Sequence, residues 1–325
     1  MKFITRRTAL AALAAFGLAQ PMLGMSQTTY PKGPVTIVVP NAPGGAVDIM
    51  ARLMERQLNE LWKQPVVVVY KAGANTMIGT DFVAKSAPDG LTIGLVVTSH
   101  VINPSLQRRI AFDTKKDLSG VTMLATSPVL ISAYPGLKAN TLAEVIAMAK
   151  KEPGRLSYAS PGTGSSMHLG GELLKTLAGI DMLHAPYKGS GPAYPDVFSG
   201  RVDLIIDPLF SSMPYVKAGK LKPIAIMSAQ RSPVAPNIPT GVETVPGFLV
   251  ESMFGAVVPS GTPRDIVKKI NADFVKVLHM PETQARMAEI GLTVKGTSPE
   301  EFDAFIASEI EKWAKVVKAS GASVD

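Results

Sequence analysis

Short apolar runs rich in Val, Ile and Thr alternate with stretches whose apolar residues recur every three or four positions. Residues 35–40, 66–70 and 92–98 read as buried strands, and between the first two Ile49, Met50, Leu53, Met54, Leu58 and Leu61 recur at helical spacing. This alternation predicts an α/β fold with a mainly parallel sheet covered by helices. It continues with a helix over 141–151 and strands near 156–159, 182–186, 202–207 and 222–227. Thr141-Leu142-Ala143-Glu144 and Ser298-Pro299-Glu300-Glu301 read as capping boxes, in which hydroxyl and carboxylate each satisfy a free backbone N–H. Thr262-Pro263-Arg264-Asp265 is a similar start. A last helix carries Phe302, Phe305, Ile306, Ile310, Trp313 and Val317 along one stripe and stops at Ser320-Gly321.

Two long extended runs, 121–134 and 251–259, read as crossings between lobes. With both crossing, the first lobe is discontinuous, 27–127 with 251–325, and the second is the continuous middle, 128–250. No period of 20–50 residues repeats, which argues against a solenoid. The 325 residues suffice for two lobes, since single cores stop growing near ~250–300 residues.

Composition adds the compartment. Residues 1–26 hold a basic start with Lys2, Arg6 and Arg7, an apolar run over 8–18, and Gly24-Met25-Ser26 as a small-x-small cleavage site. That is the plan of a secretory signal peptide, and it predicts export to the periplasm. Arg6-Arg7 is also a twin-arginine feature, weakened as a route marker by Ala9. No later stretch is apolar for the ~20 residues that a bilayer span requires. The net charge of +7 becomes +4 without the three leader cations, a mild excess that suits an anionic ligand. No Lys/Arg cluster with interleaved aromatics points to nucleic acid. With no cysteine, thiolate chemistry is excluded, and His100, His168, His184 and His279 lack metal-ligand spacing. Neither a metal nor a cofactor is expected.

Two glycine-bearing loops follow strands and open helices. Asn41, Ala42, Pro43, Gly44, Gly45 and Ala46 precede Asp48, and Ser160, Gly162, Thr163, Gly164, Ser165 and Ser166 precede His168. Glycines let a backbone approach a ligand, and helix starts offer unpaired N–H groups, so both loops suit a carboxylate. The first also reads as an ordinary turn, with Asp48 as a helix-end residue. A nucleotide reading of the second lacks the third glycine of a dinucleotide fingerprint. Gly73 to Thr76 and Thr98 to Asn103 also sit at strand ends, where open parallel sheets bind ligands. Asp207 reads as an N-cap before Pro208 or as a ligand contact. Tyr187-Lys188-Gly189 reads as a surface turn or, through Lys188, as part of the cleft. The enzyme alternative is an exported hydrolase using Ser165 and His168, with no third group to orient the imidazole. A third reading is a sensor partner that presents a bound acid to a membrane receptor.

Several segments in order carry a family resemblance: Pro43-Gly44-Gly45-x-x-Asp48, Gln64-Pro65-Val66-Val67-Val68, Ala87-Pro88-Asp89-Gly90, Ile102-Asn103-Pro104-Ser105-Leu106, Tyr158-Ala159-Ser160, His168-Leu169-x-Gly171-Glu172, Pro186-Tyr187-Lys188-Gly189-Ser190 and Trp313-Ala314-Lys315-Val316-Val317. From Tyr30 to Asp325 the chain resembles the Bug-type substrate-binding proteins of tripartite tricarboxylate transporters, the TctC family. The resemblance implies a periplasmic binding protein fold of the two-crossover type, two α/β lobes with a ligand cleft between them. It implies a small carboxylate ligand (a di- or tricarboxylate, an aromatic acid or an acidic amino acid) and integral-membrane transporter subunits as partners; a monomer is expected, since recruitment by a membrane complex needs no oligomer, and the missing catalytic motifs predict no enzyme. One ligand carboxylate maps onto 42–46 and 160–166, and the far end onto Asn75, Thr76, Ser99, His100 and Asp207. Asn41 departs from the Phe common before Ala-Pro, Asn75 and Thr76 stand where glycines are common, and Pro208 stands where Asn or Thr is frequent. These departures bear on which acid is bound.

Overall fold

The apolar runs become the strands of one twisted sheet in a computed structural model that describes residues 30–44, 46–187 and 189–320. The leader read over 1–26, Gly45 and Lys188 lie outside the described residues. β1 (Val35–Val39), β2 (Val66–Tyr70) and β3 (Thr92–Val97) alternate with α1 (Ala46–Trp62), α2 (Met77–Ala84) and α3 (Ser99–Leu106). Then comes β4 (Leu118–Ala133), followed by α4 (Leu142–Lys151), β5 (Ser157–Ser160), α5 (Ser166–Ala178), β6 (Leu183–Pro186), α6 (Tyr194–Phe198), β7 (Leu204–Pro208), α7 (Leu209–Lys217) and β8 (Lys222–Ile226). The chain closes with β9 (Glu251–Pro259), α8 (Arg264–Leu278), α9 (Pro281–Glu289), β10 (Thr293–Val294) and α10 (Pro299–Ser320).

The strand order is β2-β1-β3-β9-β4-β7-β5-β6, with β8 and β10 also paired to β4. β4 runs antiparallel to β9 from Leu118↔Pro259 to Pro128↔Glu251, then pairs with β7 from Val129↔Pro208 to Ala133↔Leu204. One strand thus belongs to both lobes. Among the described strands, parallel ladders are confined to β2-β1-β3 and β7-β5-β6. The sheet is therefore mixed rather than mainly parallel. The apolar runs reported burial, and a strand covered on both faces reads alike in either direction.

The capping boxes form as expected at Thr141 and Ser298. Thr262 differs: its hydroxyl donates to the Pro259 carbonyl (2.7 Å), and α8 opens after Pro263 with no side-chain cap. On α10, Phe302, Ile306, Ile310, Trp313 and Val317 are buried and Phe305 is half-buried. This stripe lies in one apolar cluster that runs from Val38, Val96 and Ile102 to Tyr158, Leu174 and Ile206. The core is thus shared between the lobes. A second cluster fills the other face of the first lobe beneath α1 and α8.

Candidate functional site

Parallel registers bring the loops after β1, β2 and β3 to one edge of the first lobe, and those after β5, β6 and β7 to one edge of the second. Strand ends of this kind are where α/β sheets take ligands. In the first loop Ala42, Pro43 and Gly44 are exposed, and Asn41 is half-buried with its Oδ1 shielded and unpartnered among the described residues. The Gly44 N–H donates to Asp48 Oδ2 (2.9 Å), and the Tyr70 hydroxyl donates to Asp48 Oδ1. Burial pushes the Asp48 carboxyl up, but these bonds and the Arg52 guanidinium together hold it below the usual carboxylate range. Asp48 is a helix-end residue. Gly79 of α2 joins this loop to the next: a Cβ there would lie 2.9 Å from the Lys71 carbonyl oxygen and 3.0 Å from Pro40 Cα.

The loop after β2 turns through three successive left-handed residues, Ala74, Asn75 and Thr76, with φ of 46, 50 and 75°. Such backbone costs on the order of 1–3 kcal/mol per residue outside glycine. Side chains hold it in place. Asn75 Nδ2 donates to Asn103 Oδ1 (2.8 Å), Asn103 Nδ2 donates to the Asn75 carbonyl (2.9 Å), and the hydroxyls of Thr76 and Ser99 are 2.8 Å apart. The main-chain N–H groups of Ala74 and Asn75 have no acceptor among the described residues.

The second-lobe loop spends several of its groups on itself. Ser165 caps α5, its hydroxyl accepting from the His168 N–H (3.2 Å) and donating to the Gly162 carbonyl (2.7 Å). The Gly164 N–H donates to His168 Nδ1 (3.1 Å). The Ser160 hydroxyl lies 2.7 Å from His184 Nε2 and 3.2 Å from the Gly162 carbonyl oxygen. His168 and His184 stack at 4.0 Å, with Tyr158 on the far face of His184 at 4.9 Å. Burial holds both imidazoles neutral, His184 as low as about 3. Thr163 is exposed, and the N–H groups of Thr163, Ser166 and Met167 have no acceptor among the described residues. The two lobes meet here. Asn75 Nδ2 lies 3.5 Å from the Gly164 carbonyl oxygen, and a Cβ on Gly164 would lie 2.2 Å from Leu106 Cδ2.

Two of the anticipated residues are buried titratable groups. His100 is buried with neither ring nitrogen partnered among the described residues, and it lines a cavity of about 260 Å³ with Thr114, Lys115 and Asp303. Burial lowers its pKa to about 4. Asp207 is fully buried within β7 and caps no helix, the N-cap of α7 being Pro208. Its carboxylate accepts from the Ser190 hydroxyl and the Tyr194 hydroxyl (2.6 Å to Oδ2). Burial outweighs these bonds and raises its pKa to about 7.

The family model described as the tripartite tricarboxylate transporter family receptor, TctC, matches residues 50–322. The chain belongs to the TctC family. Protein BugT of Bordetella pertussis is 37% identical over 317 residues, covering 96% of each chain. Among solved structures, R. palustris Rpa4515 with adipate superposes with a TM-score of 0.84 at 34% identity, covering 90% of this chain and 99% of its own. MatC from Rhodopseudomonas palustris with bound malate gives 0.80 at 31%, covering 89% and 100%. This TctC member is a two-lobed periplasmic-binding-protein fold, and none of its described helices is long and apolar enough to cross a membrane.

Several groups outside the anticipated site residues bond to them or set their spacing in this family member. Asn103 lies one helical turn beyond Ser99 on α3, and that spacing was the available signal. Ser190 and Tyr194 are distant from Asp207 in the chain and gave none. Gly79 looked like any helix glycine.

Proposed function

We propose that this chain is a periplasmic solute-binding protein that captures a small carboxylate between its lobes and delivers it to integral-membrane subunits of a tripartite tricarboxylate transporter. The observation that carries the reading is the meeting of two turns across the cleft, each with main-chain N–H groups that have no acceptor among the described residues: Ala74 and Asn75 on one side, Thr163, Ser166 and Met167 on the other. Main-chain dipoles fixed in this way hold an anion without covalent attack. The relatives solved with adipate and with malate support a dicarboxylate as the first ligand to try. The leader read over 1–26 supports export, and the lobes divide at 127/128 and 250/251.

Binding without turnover fits the chemistry of the second loop. Ser165 Oγ spends its hydrogen on the Gly162 carbonyl, and His168 Nδ1 accepts from Gly164, so the pair does not form a nucleophile and base. The first-lobe contacts fall to Asn41 through Ala46 and to Thr76 with Ser99, and those of the second lobe to Gly162 through Ser166. The protein acts as a monomer, because both halves of the cleft come from one chain.

Thermal unfolding with adipate, malate, tricarboxylates, aromatic acids and acidic amino acids tests the reading. A bound acid at a hundredfold excess over its dissociation constant adds about 2.7 kcal/mol of stability. No stabilisation by any of these acids would overturn it.

A further inference from the structure

Asn75 and Gly164 lie 89 residues apart and follow β2 and β5, in opposite halves of the sheet. On the first-lobe side the Asn75 side chain is aimed by its exchange with Asn103 and by the left-handed backbone beneath it. On the second-lobe side, the Ser165 N–H turns inward to the Gly162 carbonyl (3.2 Å). The peptide joining Gly164 to Ser165 is planar and trans, so the Gly164 carbonyl points the opposite way, out toward Asn75. Gly164 itself has φ of 81°, and its missing side chain lets the loop settle against Leu106 of α3. Both Nδ2 hydrogens of Asn75 are then committed, one to Asn103 and one across the cleft.

We propose that Asn75 is a positioning residue that clasps the two lobes through the Gly164 carbonyl and so sets the balance between open and closed forms. It acts on a bound ligand through closure and not through its side-chain amide nitrogen. The effect on ligand release rests on the function proposed above; the effect on lobe closure does not.

The chain has no cysteine, so Glu60→Cys on α1 and Lys150→Cys on α4, both exposed, take a pair of spin labels cleanly. Distance distributions are measured without ligand for the otherwise wild-type protein, for Asn75→Gly and for Gly164→Ala. Glycine adopts φ of 50° without penalty, which offsets part of the lost Asn103 bond, so Asn75→Gly melts near or somewhat below the wild type while moving the distribution to longer distances. Gly164→Ala moves the distribution the same way by wedging Leu106, at a lower melting temperature because alanine is strained at φ of 81°. For any acid that the wild-type protein binds, Asn75→Gly releases it about two- to tenfold faster with little change in association rate. Identical distance distributions in all three proteins would overturn the clasp, as would a melting temperature lowered by Asn75→Gly with no change in distance. If the wild-type protein binds none of the acids, the proposed function falls, and the distance measurement still judges the clasp.

Discussion

His100 and Asp207 are buried titratable groups whose protonation works in opposite directions on stability. His100 titrates near 4 in the folded chain, so between about pH 4 and 6.5 the unfolded chain binds a proton that the folded chain refuses. Its contribution is present above 6.5 and is lost on acidification at roughly 1.4 kcal/mol per pH unit. Asp207 is raised to about 7, so its contribution is present below the ordinary carboxylate pKa and is lost as pH rises through 7. His168 and His184, also lowered by burial, act in the direction of His100. His100→Leu is therefore expected to lose about 2 kcal/mol less stability than wild type between pH 6.5 and 4.5. Urea unfolding at the two pH values reads this directly, and equal losses in both proteins would refute it. Asp207→Asn is expected to behave oppositely, steepening the loss on acidification. The same comparison checks the sign.

At the scale of elements, the loops depend on how closely α2 approaches them. A Cβ on Gly79 would press on the Lys71 carbonyl and on Pro40, backbone and ring atoms with little freedom to move aside. Gly79→Ala is expected to shift the loops after β1 and β2, lowering stability by about 1–3 kcal/mol and weakening binding of whichever acid wild type binds. Calorimetric titration and thermal melts would show this, and unchanged values in both would count against it. Strands and helices were largely legible in the sequence because β-branched runs, helical spacing and the boxes at Thr141 and Ser298 are local signals. Ala74, Asn75 and Thr76 were not legible as left-handed, because no glycine stands at any of the three. The hydroxyls of Ser160 and Ser165 looked available, yet local bonds to the Gly162 carbonyl take them up. His100 looked like a strand-end group, but the residues after Thr98 form α3 and carry it into a separate cavity. Local pattern announces elements; partners that arrive from distant parts of the chain decide which polar groups remain free.

For the whole molecule, the shared core argues against two independently melting lobes. The apolar cluster beneath α10 includes Ile102 and Phe302 together with Tyr158, Leu174 and Trp313, so unfolding either lobe exposes apolar surface belonging to the other. β4 adds a covalent and hydrogen-bonded tie, since the same strand pairs with β9 and then with β7. Exposing a shared surface costs about 25 cal/mol per Å², which raises a half-unfolded state above both end states. Scanning calorimetry is therefore expected to show one transition whose calorimetric and van't Hoff enthalpies agree. Trp313 is fully buried, and Trp313→Ala should lower the stability of that single transition by about 3–5 kcal/mol without splitting it. Two resolved transitions in wild type, or a variant in which only part of the heat moves, would mean that the lobes hold separate cores and that α10 merely lies across them.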